Sequence, residues 1–575
     1  MNRILVSCAV AASAAWVPNL VMAQAVTPPS VDPGRIQQQF QQPKAEQDKP
    51  DVSAPEIADN VPPDSAAATR ITLSSIVVDG SSVYSAADFE PMIKPLLGRE
   101  IRLLDVFTLA DQITARYRAD DYILSRAVIP AQKLEHGVMH IRIVEGYVHA
   151  VNVRGPHAGL IDEYGAAIVA SKPLRRSVLE RYLLLMNALP GVTARAVLEP
   201  ATGQTGGTDL TIVATQKSVD AYLSADNRGS RYLGPLEAYA GIGVNDIFGL
   251  GERTSFDYGT AYPNANGHDR ELGYVGLRED VPVGDHGLLL SLSGARSKAN
   301  PGFTLKELDT HTTGTSFSSV LSYPLILSRA VTWSVNANFS YLDAKADIND
   351  QPQLAPSYVD RMRALRFGTT YDFADRFQGH TLLAAELSQG LRIFDADDDE
   401  RADISRPGAR TSFHKLTLDL SRRQELDRLL PNLGVFAAVA AQTSFGSPLL
   451  SAEQFGIGGA TIGRGYEPSE ITGDMGVAGK VELQYNQQMR PIAAQVQFYG
   501  FYDVGIVGNV LSTVGVPRSQ NLASAGGGFR YDLPLGFSGS FELAKPLTKP
   551  VETEVIRGTR DPKRPHFYFA LTKRF

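Results

Sequence analysis

A period-two alternation of apolar and polar residues runs from about residue 218 to the end of the chain. In residues 331–341 the odd positions are Val, Trp, Val, Ala, Phe and Tyr, and the even positions are Thr, Ser and Asn. Residues 365–373 and 480–486 alternate in the same way. Because successive side chains of a β-strand point to opposite faces of a sheet, this pattern predicts strands with one apolar and one polar face.

The extent of the alternation favours a transmembrane barrel over a soluble sandwich. One soluble domain is not expected to sustain it over residues 218–575, whereas apolar-out, polar-in segments of about 10 residues are typical of outer-membrane barrels. A closed barrel leaves no strand edge unpaired, so it can sit in lipid. At roughly 22 residues per strand and loop, the region predicts about 16 antiparallel strands. Near the C-terminus Phe567, Phe569, Leu571 and Phe575 share one face, and we expect Lys573, the exception, to extend toward the membrane interface.

A different pattern, which occurs twice, precedes the alternating region. Each unit opens with a short strand that ends at Gly, at 76–80 and again at 151–155. Two helical stretches and two strands follow, so the order βααββ is predicted over residues 71–147 and 148–217. The predicted helices span about 86–97, 103–119, 159–170 and 175–188, and the closing strands span 123–130, 138–145, 193–199 and 209–216. A small sheet with helices on one face keeps an open edge, which can accept an extended peptide as an added strand.

The first 70 residues predict a targeting signal followed by a linker. A charged start, an apolar run and a small-residue site predict a signal peptide over residues 1–23, cleaved between Ala23 and Gln24. Residues 24–70 are rich in Pro and Gln and too poor in apolar residues to fold alone. Within them, residues 31–42 can form a helix, because Asp32 is a suitable N-cap and Pro33 suits the first helical position.

Composition and charge exclude several classes of protein. Hydrophobic residues make up 43% of the chain, yet no run of 18 apolar residues follows residue 23, so no transmembrane helix is predicted for the mature chain. The net charge of −7 argues against a nucleic-acid partner. The only cysteine lies in the predicted signal peptide, at Cys8, so the mature chain is predicted to have none.

We find no motif of an enzyme, a metal site or a cofactor site. The glycines at 456–459 are not followed by the Gly-Lys-Ser/Thr of a phosphate-binding loop, and His136 and His140 lack the glutamate of a zinc-protease helix. We therefore expect a protein that is not an enzyme and that needs no cofactor.

Three short motifs in the alternating region are more specific. The first is Asp-Asn-Arg-Gly at 226–229, with Asn-Asp-Ile-Phe-Gly-Leu-Gly-Glu at 245–252; the second is Gly-Ala-Thr-Ile-Gly-Arg-Gly-Tyr-Glu at 459–467; the third is Phe-Tyr-Asp-Val-Gly at 501–505. The alternation places Asp503 on the polar, lumen-facing side of its strand. If the glycine-rich loop folds into the lumen, Arg464 can bind that carboxylate through two parallel hydrogen bonds.

With these motifs in this order behind two repeated units, the chain resembles the two-partner secretion transporters, the TpsB family of FhaC and ShlB. The resemblance covers about residues 31–575 and departs from the family pattern at Gly463, where a bulkier aliphatic residue is common. It implies a transmembrane antiparallel β-barrel of about 16 strands, preceded by two periplasmic POTRA domains, in the outer membrane of a Gram-negative bacterium. It also implies a lumen loop that carries Gly463, Arg464, Gly465 and Tyr466. The implied partner of Arg464 is Asp503 of the Phe501, Asp503 and Gly505 motif, with Glu482 as an additional partner.

The same resemblance implies a function. A large secreted protein of haemolysin, haemagglutinin or adhesin type would dock on the POTRA domains and cross the membrane through the barrel, while the helix at 31–42 would plug the resting pore. The transporter is expected to be a monomer in outer-membrane lipid. An assembly factor that inserts other barrels is the alternative, although it would more typically carry further POTRA units, and a passive porin would have no use for the repeat. The sequence leaves open which protein is exported and whether the transporter also activates it.

Overall fold

The computed structural model describes residues 28–40, 62–156, 159–263, 269–350, 357–399, 401–490, 493–511 and 517–575. The predicted cleavage site at Ala23 and Gln24 and most of the predicted linker lie outside these ranges. Within them, no helix is both long enough and apolar enough to cross a membrane.

Helix α1 (Pro33–Phe40) begins where the capping pattern predicts. The carboxylate of Asp32 accepts hydrogen bonds from the backbone N–H groups of Gly34 at 2.9 Å and Arg35 at 3.3 Å. These bonds satisfy donors that the first helical turn leaves free, and Pro33 has no N–H to lose. The predicted end at residue 42 lies outside the described part of the chain.

The first soluble unit contains a three-stranded sheet covered by two helices. Its elements are β1 (Arg70–Thr72), β2 (Ser75–Asp79), α2 (Ala86–Ile93), β3 (Glu100–Arg102), α3 (Leu103–Ala119), β4 (Arg126–Val128) and β5 (Val138–Val144). The sheet order is β2-β5-β4, with β2 parallel to β5, while β1 and β3 form a separate pair. The helices bury Phe89, Leu109 and Ile113 against the sheet.

The second unit repeats this arrangement and is joined closely to the first. Its elements are β6 (Tyr147–Arg154), α4 (Leu160–Ala170), α5 (Arg176–Ala188), β7 (Val192–Pro200) and β8 (Gly207–Gln216), in the sheet order β6-β8-β7. Asp121 of the first unit accepts a hydrogen bond from the N–H of Ser177 at 3.0 Å, at the start of α5, and Leu124 packs into the second core. The predicted strand at 123–130 is therefore shorter in the structure, because its first residues form this junction.

The rest of the chain forms a closed barrel of sixteen antiparallel strands within the described residues. The strands are β9 (Val219–Asp226), β10 (Leu236–Asn245), β11 (Arg253–Tyr262), β12 (Leu272–Val283), β13 (Leu288–Ala299), β14 (Thr310–Leu327), β15 (Val331–Ile348), β16 (Tyr358–Ala374), β17 (Gly379–Gly390), β18 (His414–Glu425), β19 (Leu433–Thr443), β22 (Met475–Met489), β23 (Ala494–Gly508), β24 (Ser519–Leu533), β25 (Phe537–Pro546) and β26 (His566–Arg574). The predicted fold class is thus confirmed. Apolar side chains such as Leu277, Phe367 and Leu387 are exposed on the outer face, where a membrane would cover them.

The barrel strands differ widely in length, and the barrel closes where they are short. Neighbours β14 and β15 pair over seventeen residues, whereas β9 and β26, which close the barrel, pair over only five. The flanking pairs β9–β10 and β25–β26 each join eight residues. The closure between β9 and β26 is called the seam below.

Among the described residues, two elements lie inside the lumen. The loop between β19 and β22, called the lumen loop below, folds back inside the barrel and forms a short hairpin of β20 (Phe455–Ile457) and β21 (Ile471–Gly473). Helix α1 lies between this loop and the wall made by β13, β14 and β15. Small apolar cores join both elements to the wall, including Val31 and Ile36 with Leu272.

At the mouth nearest the soluble units, α5 contacts the turns of the barrel. Arg181 donates hydrogen bonds to the carbonyl oxygens of Pro324 at 3.1 Å and His286 at 2.9 Å. Pro324 lies near the end of β14 and His286 lies in the β12–β13 turn, so the second unit is attached to the mouth of the barrel.

Candidate lumen site

The lumen loop turns sharply at its glycines and presents Arg464 to the barrel wall. Gly463 has a φ of +87°, which an L side chain rarely adopts. The backbone N–H groups of Gly463 and Arg464 both donate to Oδ2 of Asp503, each at 3.0 Å. A side chain at Gly465 would meet the β25 backbone near Pro546 at 2.8 Å. The glycines therefore let the loop backbone lie directly on the wall.

The guanidinium of Arg464 contacts three carboxylates. Its Nε and Nη2 donate to the two oxygens of Asp503 at 3.0 and 2.7 Å, and Nη1 donates to Glu482 at 2.5 Å. Glu542 lies 3.5 Å from the same Nη1. The side chain is 2% exposed, and its charged centre lies 3.6 Å from the ring centre of Phe501. The arrangement combines bidentate pairing with a cation–π contact, both of which strengthen when water is excluded.

Two further arginines balance the acidic side of this cluster. Arg530 donates to both oxygens of Glu482, at 3.0 and 3.1 Å. Arg228 donates to Glu542 at 2.6 Å, and Tyr499 donates to its other oxygen at 2.8 Å. Three carboxylates thus face three guanidinium groups, and the charges of these six side chains balance, which offsets the cost of burying ions.

The remaining motif residues pack the loop against the wall. The hydroxyl of Tyr466 donates to the carbonyl oxygens of Ala523 at 3.2 Å and Lys549 at 3.0 Å. A Cβ at Gly505 would lie 2.5 Å from Cδ1 of Ile457 and 2.9 Å from Cβ of Ala478, so glycine allows the loop to pack closely there. The structure therefore brings together Gly463, Arg464, Gly465, Tyr466, Phe501, Asp503, Gly505 and Glu482.

A second anchor, which the sequence analysis missed, holds the lumen loop to the opposite wall. Glu453, in a short 3-10 helix of the loop, contacts Arg366 of β16 at 2.7 Å and Lys415 of β18 at 2.5 Å. All three side chains are buried or nearly so. The loop therefore presents a cation to the β22–β25 wall and an anion to the β16–β18 wall. Glu542 and Arg530 could have been found from their lumen-facing parity, but no periodic signal marks Glu453.

Helix α1 is attached to the same loop through Arg35. Its Nε donates to the carbonyl oxygen of Ser451 at 2.9 Å and its Nη2 to that of Gln454 at 2.6 Å, the two residues on either side of the Glu453 anchor. Its Nη1 donates to the hydroxyl of Ser469 at 3.1 Å. A Cβ at Gly34 would lie 2.6 Å from Ala452, so the helix backbone also lies close against the loop.

The histidines set aside in the sequence analysis lie in the first soluble unit, where His140 is 3.3 Å from Asp79. Across the described ranges, no group of three or more His, Cys, Asp or Glu side chains is placed to hold a metal ion.

Family models match both parts of the chain. Residues 206–531 match the model described as haemolysin secretion/activation protein ShlB/FhaC/HecB, and residues 71–146 match the ShlB-type POTRA domain. The first match covers more than half of the chain, including all the lumen motifs.

Curated relatives and solved structures extend the likeness to nearly the whole chain. The heme/hemopexin transporter protein HuxB of Haemophilus influenzae is 23% identical over 508 residues, 84% of this chain and 83% of that protein. The outer membrane transporter CdiB of Dickeya dadantii is 23% identical over 438 residues, 76% of each. The structure of CdiB from Escherichia coli superposes with a TM-score of 0.71 at 19% identity over 92% of both chains. CdiB from Acinetobacter baumannii gives 0.63 at 18% identity, over 94% of this chain and 96% of that one.

Proposed function

The chain belongs to the ShlB/FhaC/HecB family of haemolysin secretion/activation proteins, and from this premise we propose that it exports one large partner protein in a two-partner secretion system. It is an outer-membrane transporter whose soluble units lie in the periplasm. We expect it to act as a monomer in the lipid of the outer membrane.

The observation that carries the proposal is the occupied lumen. A sixteen-stranded barrel is wide enough to hold an aqueous channel, yet here the lumen loop and α1 lie inside it. Helix α1 belongs to the N-terminal segment and is not part of the wall, so it can leave without breaking a strand pair. A channel that is closed by a removable element and carries docking units at its mouth suits regulated passage of a polypeptide better than free diffusion.

Helix α1 is the proposed plug of the resting pore. Three hydrogen bonds of Arg35 hold it to the lumen loop, and a small apolar core around Val31 and Ile36 holds it to the barrel wall. Hydrogen bonds that involve a charged group contribute about 1.5–3 kcal/mol each, so a binding partner can supply the free energy that is needed to release the helix.

The edge strand β7 is the proposed docking site for the secretion domain of the partner. Asn187 bonds to both the N–H and the carbonyl of Ala194, which shows that this residue turns its polar backbone groups away from β8. Because inward and outward backbone groups alternate in an antiparallel ladder, the N–H and carbonyl groups of Ala196 and Leu198 also point away from β8. Val197, which lies between these two residues, has an exposed apolar side chain. An extended segment of the partner can pair there as an additional strand, whereas the edge strand β4 of the first unit is only three residues long.

Replacing Ala196 with proline tests this docking site. Proline removes the outward N–H but leaves the β7–β8 ladder bonds in place. We expect Ala196→Pro to reduce secretion of the partner, and Ala196→Ser, which keeps the N–H, to leave secretion unchanged. Equal secretion by both variants would contradict docking at this edge.

The function itself is tested by deleting the gene for the transporter in its own host and measuring secreted proteins. We expect one large protein to disappear from the culture medium and to return on complementation, while other outer-membrane barrels keep their normal levels. Loss of several unrelated barrels would instead identify an assembly factor, and an unchanged medium would rule out the proposed export.

A further inference from the structure

The motif Asp-Asn-Arg-Gly at 226–229 lies outside the lumen loop, and its position in the barrel suggests a separate role. It follows directly on β9, at the end of the seam farthest from the soluble units. The seam has the fewest paired residues of the barrel strands that the structure describes: five, against eight or more elsewhere. Backbone groups beyond a short ladder are left without strand partners, and in lipid such groups are costly.

The side chain of Asn227 continues the ladder past the last backbone pair. Its Nδ2 donates to the carbonyl oxygen of Phe567 at 2.9 Å, and its Oδ1 accepts from the N–H of Phe569 at 2.7 Å. The backbone N–H of Asn227 also donates to the carbonyl of Phe569, at 3.3 Å. A carboxamide places an N–H donor beside a carbonyl acceptor, as a strand backbone does. The side chain of Asn227 therefore takes the place of missing strand residues.

Arg228 then crosses from β9 to the strands on the other side of the seam. It donates to Glu542 of β25 at 2.6 Å, and its charged centre lies 4.2 Å from the ring centre of Tyr568 of β26. The pair with Glu542 is well buried, at 15% and 2% exposure. Gly229 lets the chain turn here, since a Cβ would lie 2.2 Å from the carbonyl oxygen of Gly234.

We propose that Asn227 and Arg228 form a side-chain clasp that closes the seam, and that Glu542 couples this clasp to Arg464 of the lumen loop. Glu542 is the shared element: one oxygen accepts from Arg228, and the other lies 3.5 Å from Nη1 of Arg464. Loss of either arginine leaves the negative charge of Glu542 less well compensated. It therefore changes the interaction of Glu542 with the remaining arginine. Closure of the barrel and the position of the lumen loop are therefore linked through one side chain.

The clasp is tested with Asn227→Ala in the full-length protein, folded in detergent. The readout is the temperature at which the compact, heat-modifiable form is lost on gel electrophoresis. We expect Asn227→Ala to lower this midpoint. The matched control is Asn338→Ala, a lumen-facing asparagine in the middle of the long β14–β15 ladder, and it should leave the midpoint unchanged. Equal midpoints for Asn227→Ala and the wild type would overturn the clasp.

A disulfide across the seam separates loss of the clasp from general misfolding. Ser224 and Thr572 are paired in register, with their hydroxyl oxygens 2.9 Å apart. In a Cys8→Ser background, the oxidised pair Ser224→Cys and Thr572→Cys should restore the midpoint of Asn227→Ala. The control pair Ser318→Cys and Ser340→Cys, which links β14 to β15, should not. If the seam disulfide fails to restore Asn227→Ala, or if both disulfides restore it equally, the defect is not in the seam and the proposal fails.

The coupling is tested by a double-mutant cycle on the same midpoint. If Glu542 links the two arginines, the drop for Arg228→Ala combined with Arg464→Ala should be smaller than the sum of the two single drops. Additive drops would overturn the coupling. Partner export plays no part in these readouts, so their outcome is independent of the proposed function.

Discussion

At the scale of single residues, the predictions rest mainly on which face of a strand each side chain occupies. Asp503 and Glu482 were assigned to the polar face from alternation alone, and both contact Arg464. Glu453 could not be found this way, because its partners Arg366 and Lys415 lie on distant strands of the opposite wall. A contact across the lumen depends on how the loop folds back, and the local residue pattern does not predict the course of the loop.

Arg464 is expected to be the most sensitive residue of the lumen loop. Arg464→Ala leaves the negative charges of Asp503 and Glu482 less well compensated in a buried site. Removing one member of such a cluster lowers the free energy of unfolding by about 3–5 kcal/mol. Arg464→Lys should be intermediate, since lysine keeps the charge but loses the bidentate geometry. The measurements are the unfolding midpoint of the purified protein and the amount of secreted partner.

Arg530→Ala is the matched control for this prediction. Arg530 also contacts Glu482 but is 39% exposed, so water compensates for its loss and a smaller effect is expected. A midpoint and secretion level of Arg464→Ala equal to those of the wild type would mean that the loop does not need this brace.

Glu453 is expected to control how firmly the plug is held. Glu453→Gln preserves the shape of the side chain but removes the charge that binds Arg366 and Lys415. The neighbouring acceptors of Arg35, Ser451 and Gln454, should then be less well positioned. We expect more frequent channel opening in planar lipid bilayers. Glu386 of β17 also lies near Arg366, at 3.8 Å, but within the described chain it forms no hydrogen bond to the loop, so Glu386→Gln is the control. Identical traces for the two variants would contradict this role.

At the scale of elements, helices and strands with a clear period were located well and short ones were not. Helix α3 begins and ends at the predicted residues 103 and 119, because its apolar residues repeat over four turns. Strands β1 and β3 were missed, since three residues are too few to show a period. The start of α1 was predictable because capping is a local property of Asp32 and Pro33.

The element whose removal has the clearest expected effect is α1. Arg35→Ala removes its three hydrogen bonds to the lumen loop, and deletion of residues 24–45 removes the helix entirely. Both changes should raise the mean conductance of the channel in planar bilayers, with the deletion having the larger effect. Gln39→Ala loses one bond to Glu237 and serves as the control with a small effect. A conductance that is unchanged by the deletion would show that α1 does not block the pore.

At the scale of the whole molecule, the strand number was predictable and the closure was not. The length of the alternating region divided by an ordinary strand and loop led to about 16 strands, which is the number found. The five-residue seam depends on which strands meet at the ends of the sheet and in which register they pair. Alternation is a property of each strand by itself, so it carries no information on that register.

The junction at Asp121 has a consequence for how the two periplasmic units gain their stability. This carboxylate belongs to the first unit, yet it caps the first turn of α5 in the second, and Leu124 lies in the second core. The stability of the second unit therefore depends on the first, because melting the first would uncap a helix and open a cavity in the second. We expect the pair to denature in a single cooperative step, so that the cooperative folding unit of the periplasmic region is the pair and not the single βααββ repeat.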